Sequence, residues 1–449
     1  MNNNKNNRRE FLKKSTLATV GLSSLGAMGF SAKSYGNILG ANDRLNVAIA
    51  GLGRRLGAFY APIADPNNNV RLATLCDVME SQRGKAATNF SKHIDYKPKL
   101  ENSILKVIED KEIDVLINAT PDHWHAPGTW LAVENGKHVY VEKPCSHTPR
   151  EGEILMEYQK KYGKVIQMGN QQRSSNHTIE IINQIHNGVI GNAYMATAFY
   201  VNQRGEVPVA KEAAPPTGLD WELFQGPAPR RKYTHNTWDY NWHWYDWDYG
   251  TAETGNNATH ELDIARWALQ VEYPKHVKVD AGKYHFVNDG WTMYDTMLAT
   301  FKFEGDKTIQ WDGKSRNGHN TYGMDRGTII YGTEGSVIVN RGLYRLFDRS
   351  GKLIRETKSN SVEGSTNLGG GGDMTTVHVS NFFAAIRGKE KQNSTIDEGA
   401  VSTLLCHLAN ISYRIGEDFD CNPNNGHIYN RKGMELWSKA YEKGWEPKI

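Results

Sequence analysis

Gly51, Gly53 and Gly57 stand in a G-x-G-x-x-x-G spacing directly after the apolar, β-branched run that starts at Leu45. This is chemistry of the backbone. The first glycine lets a strand turn tightly, and the second lets N–H groups approach a pyrophosphate with no Cβ in the way. The third lets a helix pack closely with its N-terminus toward the phosphates. A second run, Val70 to Cys76, ends on Asp77, where a carboxylate would hydrogen-bond a ribose diol. The pattern predicts a dinucleotide-binding unit. Asp77 would repel a 2′-phosphate and favour NAD over NADP. Arg54 and Arg55 act in the other direction, but the place of the strand-end aspartate is fixed by the fold and decides for NAD.

Two further residues could move protons. Lys143 follows the apolar run Val139-Tyr-Val141, at the end of a strand where ligands of parallel sheets collect. An ammonium there can hydrogen-bond a substrate hydroxyl, and desolvation can bring its pKa into a useful range. The structural alternative is a surface lysine paired with Glu142. His260 shares a helical face with Asn256, Asp263, Ile264 and Trp267, and a histidine with a polar residue one turn before it suits acid–base work near neutrality. Asp263 would orient His260 or Lys143, or simply stabilise the helix.

The segment Trp238-Asp-Tyr-Asn-Trp-His-Trp-Tyr-Asp-Trp-Asp-Tyr249 interleaves aromatic rings with short polar side chains. Trp242, His243 and Trp244 in it are candidate substrate contacts, because sugar rings stack their C–H faces on aromatics while their hydroxyls need polar partners. A domain core or subunit interface would have the same composition. Gln172 and Arg173, beyond the run Val165 to Met168, are candidates for the same site. His123 and His125 alternate along an extended segment with Asp122 beside them, but no third ligand is placed by spacing, so no metal is expected.

The combination GLGRRLG, TPDHWHAPGTWLAVENGKHVYVEKP, MGNQQR, GNNATHELDIARW and GTEGSV resembles the Gfo/Idh/MocA family of nicotinamide-dependent sugar oxidoreductases. The resemblance implies a Rossmann domain followed by an α/β domain with a large open sheet, the sugar lying between that sheet and the nicotinamide. It implies that Thr120, Pro121, His125, Glu142 and Lys143 lie along the cofactor, that Lys143 is the catalytic lysine, and that the chain forms a homo-oligomer through its C-terminal sheet. The family usually has Asp-x-x-x-His where this chain has Asn256-Asn-Ala-Thr-His260. Asparagine cannot accept a proton, so the acceptor becomes His260, or Lys143 relayed through it, and Asn256 only orients.

The elements that must position these residues follow a β-α-β-α rhythm from Leu45, which implies an α/β fold with a parallel sheet and right-handed crossovers. Residues 276 to 349 read instead as several strands with turns between them, a mostly antiparallel sheet. We expect a signal and linker over 1–40, the dinucleotide-binding domain over 44–172 and the substrate and oligomerisation domain over 173–449. Gly364 to Gly372 reads as a flexible loop. Across the 449 residues the formal net charge is +3, too small to argue for nucleic acid or an anionic membrane. Cys76, Cys145, Cys406 and Cys421 are widely spaced and suggest neither a zinc site nor a disulfide framework.

Arg8-Arg9-Glu-Phe-Leu-Lys13, followed by a mildly apolar stretch too short and polar for a stable membrane span, reads as a twin-arginine signal. That route exports folded proteins, so the chain is expected in the periplasm with a tightly held cofactor. Three functions then compete: net oxidation of a sugar or glycoside hydroxyl carbon; redox-neutral glycoside hydrolysis or elimination through transient oxidation; and a non-catalytic carbohydrate-binding or scaffold role, which an intact Lys143 and His260 disfavour.

Overall fold

The computed structural model describes residues 43–358 and 372–448, so the twin-arginine segment and most of the glycine-rich loop lie outside the described residues. Residues Leu45–Ile449 form one compact unit, built on two sheets. The first is parallel and six-stranded, ordered β3-β2-β1-β4-β5-β6. Its strands are β1 (Leu45–Ala50), β2 (Val70–Cys76), β3 (Lys99–Glu101), β4 (Val115–Asn118), β5 (His138–Val141) and β6 (Ile166–Met168). All four residues of β4 are buried, as expected for a central strand covered on both faces.

The helices Asp122–Glu134 and Pro149–Tyr162 cover one face, where Trp130, Val133 and Leu155 pack against Leu116 and Val139. On the other face Phe59, Ile63 and Phe90 meet Val47, Ile49 and Ile117. That face is completed from far along the chain: Val379, Phe382 and Phe383 of the helix Gly372–Ile386 pack into the same core.

The second sheet has nine strands in the order β14-β13-β12-β11-β7-β10-β9-β8-β15. They are β7 (Ala193–Val201), β8 (His276–Gly282), β9 (Thr296–Lys302), β10 (Thr308–Lys314), β11 (Arg326–Gly332), β12 (Gly335–Val339), β13 (Leu343–Asp348), β14 (Leu353–Lys358) and β15 (Phe419–Asp420). Every neighbouring pair is antiparallel except β7 with β10. Burial alternates along β10, the mark of a sheet with one packed face. That face carries the helices Asn176–His186, Thr259–Leu269 and Ile396–Ile415. The other face bears a smaller apolar cluster of Phe199, Ile329 and Ile338.

The turn out of β1 depends on Gly51. Its φ is +86°, and a Cβ there would lie 2.2 Å from the Ala119 carbonyl oxygen beyond β4. Around Gly53 a Cβ would meet nothing within 4 Å. We therefore expect Gly51→Ala to destabilise the fold by at least about 1–3 kcal/mol through backbone strain, and Gly53→Ala to leave stability unchanged while weakening dinucleotide binding. Urea unfolding followed by circular dichroism, with a dinucleotide titration on each variant, checks both halves.

Candidate active site

A cleft of about 560 Å³ opens beyond the carboxyl ends of β1, β2, β4 and β5 and is closed by residues of the second sheet and of the aromatic segment. Gly51 and Gly53 lie at one end, and Asp77 forms a wall just past β2. The Asp77 carboxylate accepts the Leu52 N–H at 2.7 Å and the Met79 N–H at 2.8 Å. Burial raises its pKa against these bonds. One lone pair on each oxygen remains for a ligand. An open cradle over Gly53 beside an anchored acceptor fits a dinucleotide. Gly57 has no part in this. It is exposed and outside the cleft, and a Cβ there would meet only the Tyr60 ring at 3.9 Å. The predicted helix after it is a four-residue 3₁₀ turn and a five-residue helix, too short to act as a packed helix terminus.

The two arginines of the loop are engaged elsewhere. Arg55 donates through Nε to Glu142 at 2.8 Å and through Nη2 to Thr375 at 3.0 Å. Glu142 follows β5, and β1 and β4 separate β5 from β2 in the sheet, so Arg55 is turned away from Asp77. The Arg54 guanidinium lies 4.0 Å from the Tyr240 ring centroid. The two loop arginines are thus turned away from Asp77, while Arg83, on the helix after β2, donates through Nη1 to the Asp77 backbone carbonyl at 2.6 Å.

A segment of the second domain straps this end of the cleft. Leu219 bridges Met79, the Glu80 N–H donates to the Gly218 carbonyl at 2.9 Å, and Trp124 Nε1 donates to the Phe224 carbonyl at 2.9 Å. Thr120 and Pro121 line the wall past β4, with Thr120 Oγ1 donating to Asn118 Oδ1 at 2.6 Å. Helix begins at Asp122, so His123 and His125 do not alternate on an extended segment. His123 Nε2 contacts the Phe224 carbonyl at 2.8 Å and His125 Nδ1 the Pro144 carbonyl at 2.6 Å. His125 lines the cleft. Among the described residues no group of three His, Cys, Asp or Glu side chains is arranged to hold a metal ion.

At the far end Lys143 donates to the Asn256 backbone carbonyl at 2.5 Å and to Asn256 Oδ1 at 3.3 Å. Burial lowers its pKa to about 8, opposed by the charges of Asp122 and Glu142. Asp122 is held by the N–H of Thr251, at 3.1 Å, and by its hydroxyl, at 2.5 Å. His260 is also buried in the wall. Desolvation first, then the charges of Arg341, Lys143, Arg326 and Arg55, hold its pKa well below the ordinary value. It is a neutral imidazole at neutral pH, so Lys143 is the stronger base of the two. Asn256 lies in a π turn, Thr254–Ala258, that leads into the helix Thr259–Leu269.

The remaining candidates divide. Trp242 and His243 line the cleft, ring on ring with centroids 3.5 Å apart. Trp244 does not; it stacks on Trp291 at 4.2 Å inside the second core. Asp263 and Arg173 do not reach the cleft either. They form a buried two-pronged pair, Arg173 Nε to Asp263 Oδ2 at 2.8 Å and Nη2 to Oδ1 at 2.9 Å, with Ser402 Oγ donating to Oδ1 at 2.6 Å. Gln172 is buried behind the wall, while its neighbour Gln171 lines it and donates to Glu142 at 3.1 Å. Tyr200, Asn202, Arg204, Arg326 and Tyr240 line the cleft without having been singled out in the sequence. The first four sit at strand ends or in the loop after β7, where no motif marks them.

Fold and cleft together define an α/β protein with a Rossmann-type sheet, a second nine-stranded sheet and a cleft between them that fits a dinucleotide. Residues 45–170 match the profile of the Gfo/Idh/MocA oxidoreductase family, NAD-binding Rossmann fold. A glycosyl hydrolase family 109 protein of Saccharopolyspora erythraea is 27% identical over 240 residues, 48% of this chain and 52% of the relative. The D-glucoside 3-dehydrogenase of Escherichia coli is 29% identical over 154 residues, 34% of this chain and 42% of the relative. The chain thus spans about half the length of the curated relatives it matches. Levoglucosan dehydrogenase in complex with NADH and levoglucosan shares the fold, with a TM-score of 0.63 and 20% identity over 84% of this chain and 99% of that one.

The Arg173–Asp263 pair has a structural task, and its loss should appear in stability. Removing one partner of a buried ion pair costs about 3–5 kcal/mol. We expect Asp263→Ala to lower the urea midpoint accordingly while the folded enzyme keeps its kcat. A large fall in kcat at unchanged stability would return Asp263 to the catalytic site.

Proposed function

We propose that this chain is an NAD-dependent oxidoreductase acting at a hydroxyl-bearing carbon of a sugar or glycoside. The observation that carries the reading is Lys143: an amine with a pKa near 8, fastened to Asn256 at the opposite end of the cleft from Asp77. The backbone at Gly51 and Gly53 would hold the pyrophosphate, Asp77 the ribose diol, and Thr120, Pro121 and Glu142 the wall beyond. Bound there, NAD supplies the hydride acceptor.

The side chains supply the rest. Neutral Lys143 takes the hydroxyl proton as the carbon is oxidised, and its ammonium returns one in reduction. His260, a neutral imidazole, hydrogen-bonds the same sugar and fixes which hydroxyl meets the amine. Trp242 offers a ring face to the apolar side of the sugar. The strap from Gly218 to Phe224 supports a tightly held cofactor, since an adenosine bound at Asp77 would leave only when the strap lifts.

Redox-neutral cleavage of a glycoside is the second reading. It is favoured by relatives named for hydrolysis, including an alpha-N-acetylgalactosaminidase of Shewanella oneidensis, 26% identical over 212 residues, 44% of this chain and 46% of the relative. We also propose export of the folded protein by the twin-arginine route, on the Arg8-Arg9 motif, and association of copies through the outer face of the second sheet, where Leu298 and Tyr322 are exposed beside the buried Phe199 cluster. No helix among the described residues is long and apolar enough to cross a membrane.

Oxidation needs the uncharged amine, so kcat should rise with pH through about 8 and level off above it. Reduction needs the ammonium and should fall over the same interval. Lys143→Met should lose about 10²–10⁴-fold in rate, the worth of general acid–base catalysis, while still binding NAD. The assay follows absorbance at the NADH band and sugar products together on a glycoside panel. Net oxidation yields a keto-sugar with stoichiometric NADH; redox-neutral cleavage yields free sugar with none. Turnover that survives in Lys143→Met removes the reading.

Asp77→Ala should weaken NAD binding by about ten- to a hundredfold, the worth of a hydrogen bond to a charged group, and relax discrimination against NADP. Tighter binding of NADP than of NAD by the unaltered protein would contradict the argument from Asp77.

A further inference from the structure

Lys143 leans on a side chain whose two ends are unlike. Asn256 presents an amide oxygen that accepts from an ammonium and an amide nitrogen that donates and would repel one. Which end faces Lys143 is a matter of partners, because the two orientations have the same shape. Oδ1 lies 3.3 Å from Lys143 Nζ. On the other side Nδ2 donates to the Tyr240 hydroxyl at 3.3 Å and to Glu253 Oε1 at 3.4 Å.

Neither partner is free to drift. Glu253 is 2% exposed. Arg204 Nε donates to its Oε2 at 3.0 Å, and Asn257 Nδ2 donates to its Oε1. With both oxygens charged and acceptor-only, Glu253 can face only the NH₂ end of Asn256. Tyr240 has φ +69°, a left-handed conformation rare for a bulky residue and costly unless the surroundings impose it. Its ring lies under the Arg54 guanidinium at 4.0 Å and against His243, centroids 4.4 Å apart. Tyr240 thus touches the dinucleotide loop with its ring and Asn256 with its hydroxyl.

We propose that Glu253 and Tyr240 are positioning residues that hold the Asn256 amide with its oxygen on Lys143, and so set both the place and the proton affinity of the catalytic amine. The proposal rests on Lys143 being the acid–base group. If the amide turned over, its NH₂ would face the amine, the charged form would lose an acceptor, and the apparent pKa of Lys143 would fall. An aspartate at 256 has two equivalent oxygens and needs no such orientation.

The test is a double-mutant comparison in the full-length protein loaded with NAD. Tyr240→Phe keeps the ring over which Arg54 lies and removes only the hydroxyl. In the unaltered background we expect it to lower kcat about two- to tenfold, the worth of one hydrogen bond between neutral groups, and to move the rising limb of the pH–rate profile to lower pH. Glu253→Gln should do the same. In the Asn256→Asp background the limb moves to higher pH, because a carboxylate favours the ammonium, and adding Tyr240→Phe should cost less rate than in the unaltered background and should no longer move the limb to lower pH. The pKa of Lys143 is also read without turnover, by competitive labelling with acetic anhydride across pH and mass spectrometry of its peptide. The same shifts are expected, so a slow Asn256→Asp protein still reports. Equal loss from Tyr240→Phe in both backgrounds, or an unmoved labelling pKa, overturns the assignment. Full activity in Lys143→Met would instead sink the oxidoreductase reading on which it rests.

Discussion

The cleft depends on keeping one cation partly desolvated. An ammonium moved out of water sheds its proton unless something compensates the charge. Lys143 is balanced between these limits. Burial pulls its pKa down, while Asp122 and Glu142 pull it back, and the result is about 8. Each compensating group is fixed in turn. Asp122 opens the helix after β4 and is held by Thr251; Glu142 is held by Arg55; the Asn256 carbonyl, which accepts from Lys143, lies in the π turn of residues 254–258. A π turn breaks the regular backbone ladder and leaves carbonyls to find other donors, which is why such turns collect at functional sites. The amine thus ties the Rossmann half, which carries Lys143, to the second half, which carries Asn256.

Around that centre the polar groups come in paired form: Arg55 with Glu142, Arg204 with Glu253, Arg326 with Glu261. Glu261 is fully buried, Glu142 and Glu253 nearly so. Burying such pairs brings little net stability, since desolvation offsets their attraction. Their contribution is geometric. Each arginine reaches from one element to a carboxylate on another: the dinucleotide loop to the end of β5, the loop after β7 to the π turn, β11 to the helix Thr259–Leu269. A neutral ligand would then meet donors and acceptors that are already oriented and need not be reorganised on binding.

The Rossmann half was legible because its signals are local. The glycine spacing, the strand-end Asp77 and the position of Lys143 are each set within a few residues of the element that bears them, and the family profile covers the same stretch. The second half was legible as a sheet with helices, not as a site. Its cleft residues are brought in by strand pairing between distant segments, such as β7 with β11. Asp263 shows the limit of reading a helical face. It lies three residues beyond His260, about 60° around the helix, and that angle at the edge of a cleft is enough to turn it inward to Arg173. Arg173 was read from its place after a strand, but the 3₁₀ turn Gln171–Ser174 sends Gln171 to the cleft and Arg173 away from it. Gly57 was read from spacing, and the short helix after it gives that glycine nothing to pack against.

The aromatic segment shows why composition could not divide pocket from core. Trp242, His243 and Trp244 are consecutive in one helical turn, so successive side chains leave it about 100° apart. Two meet the cleft and the third falls on Trp291. The path into and out of this turn is forced. Asn236, Tyr240 and Ala252 all have positive φ, at 61°, 69° and 58°. Such conformations cost non-glycine residues about 1 kcal/mol or more each. They persist where packing over-determines them: Trp244 on Trp291, Arg54 on Tyr240, Tyr249 on His123. The core under Trp244 therefore sets the lie of the segment, and the segment sets where Tyr240 and His243 stand. The cleft wall is shaped before any ligand arrives, and its shape derives from side chains that never touch one.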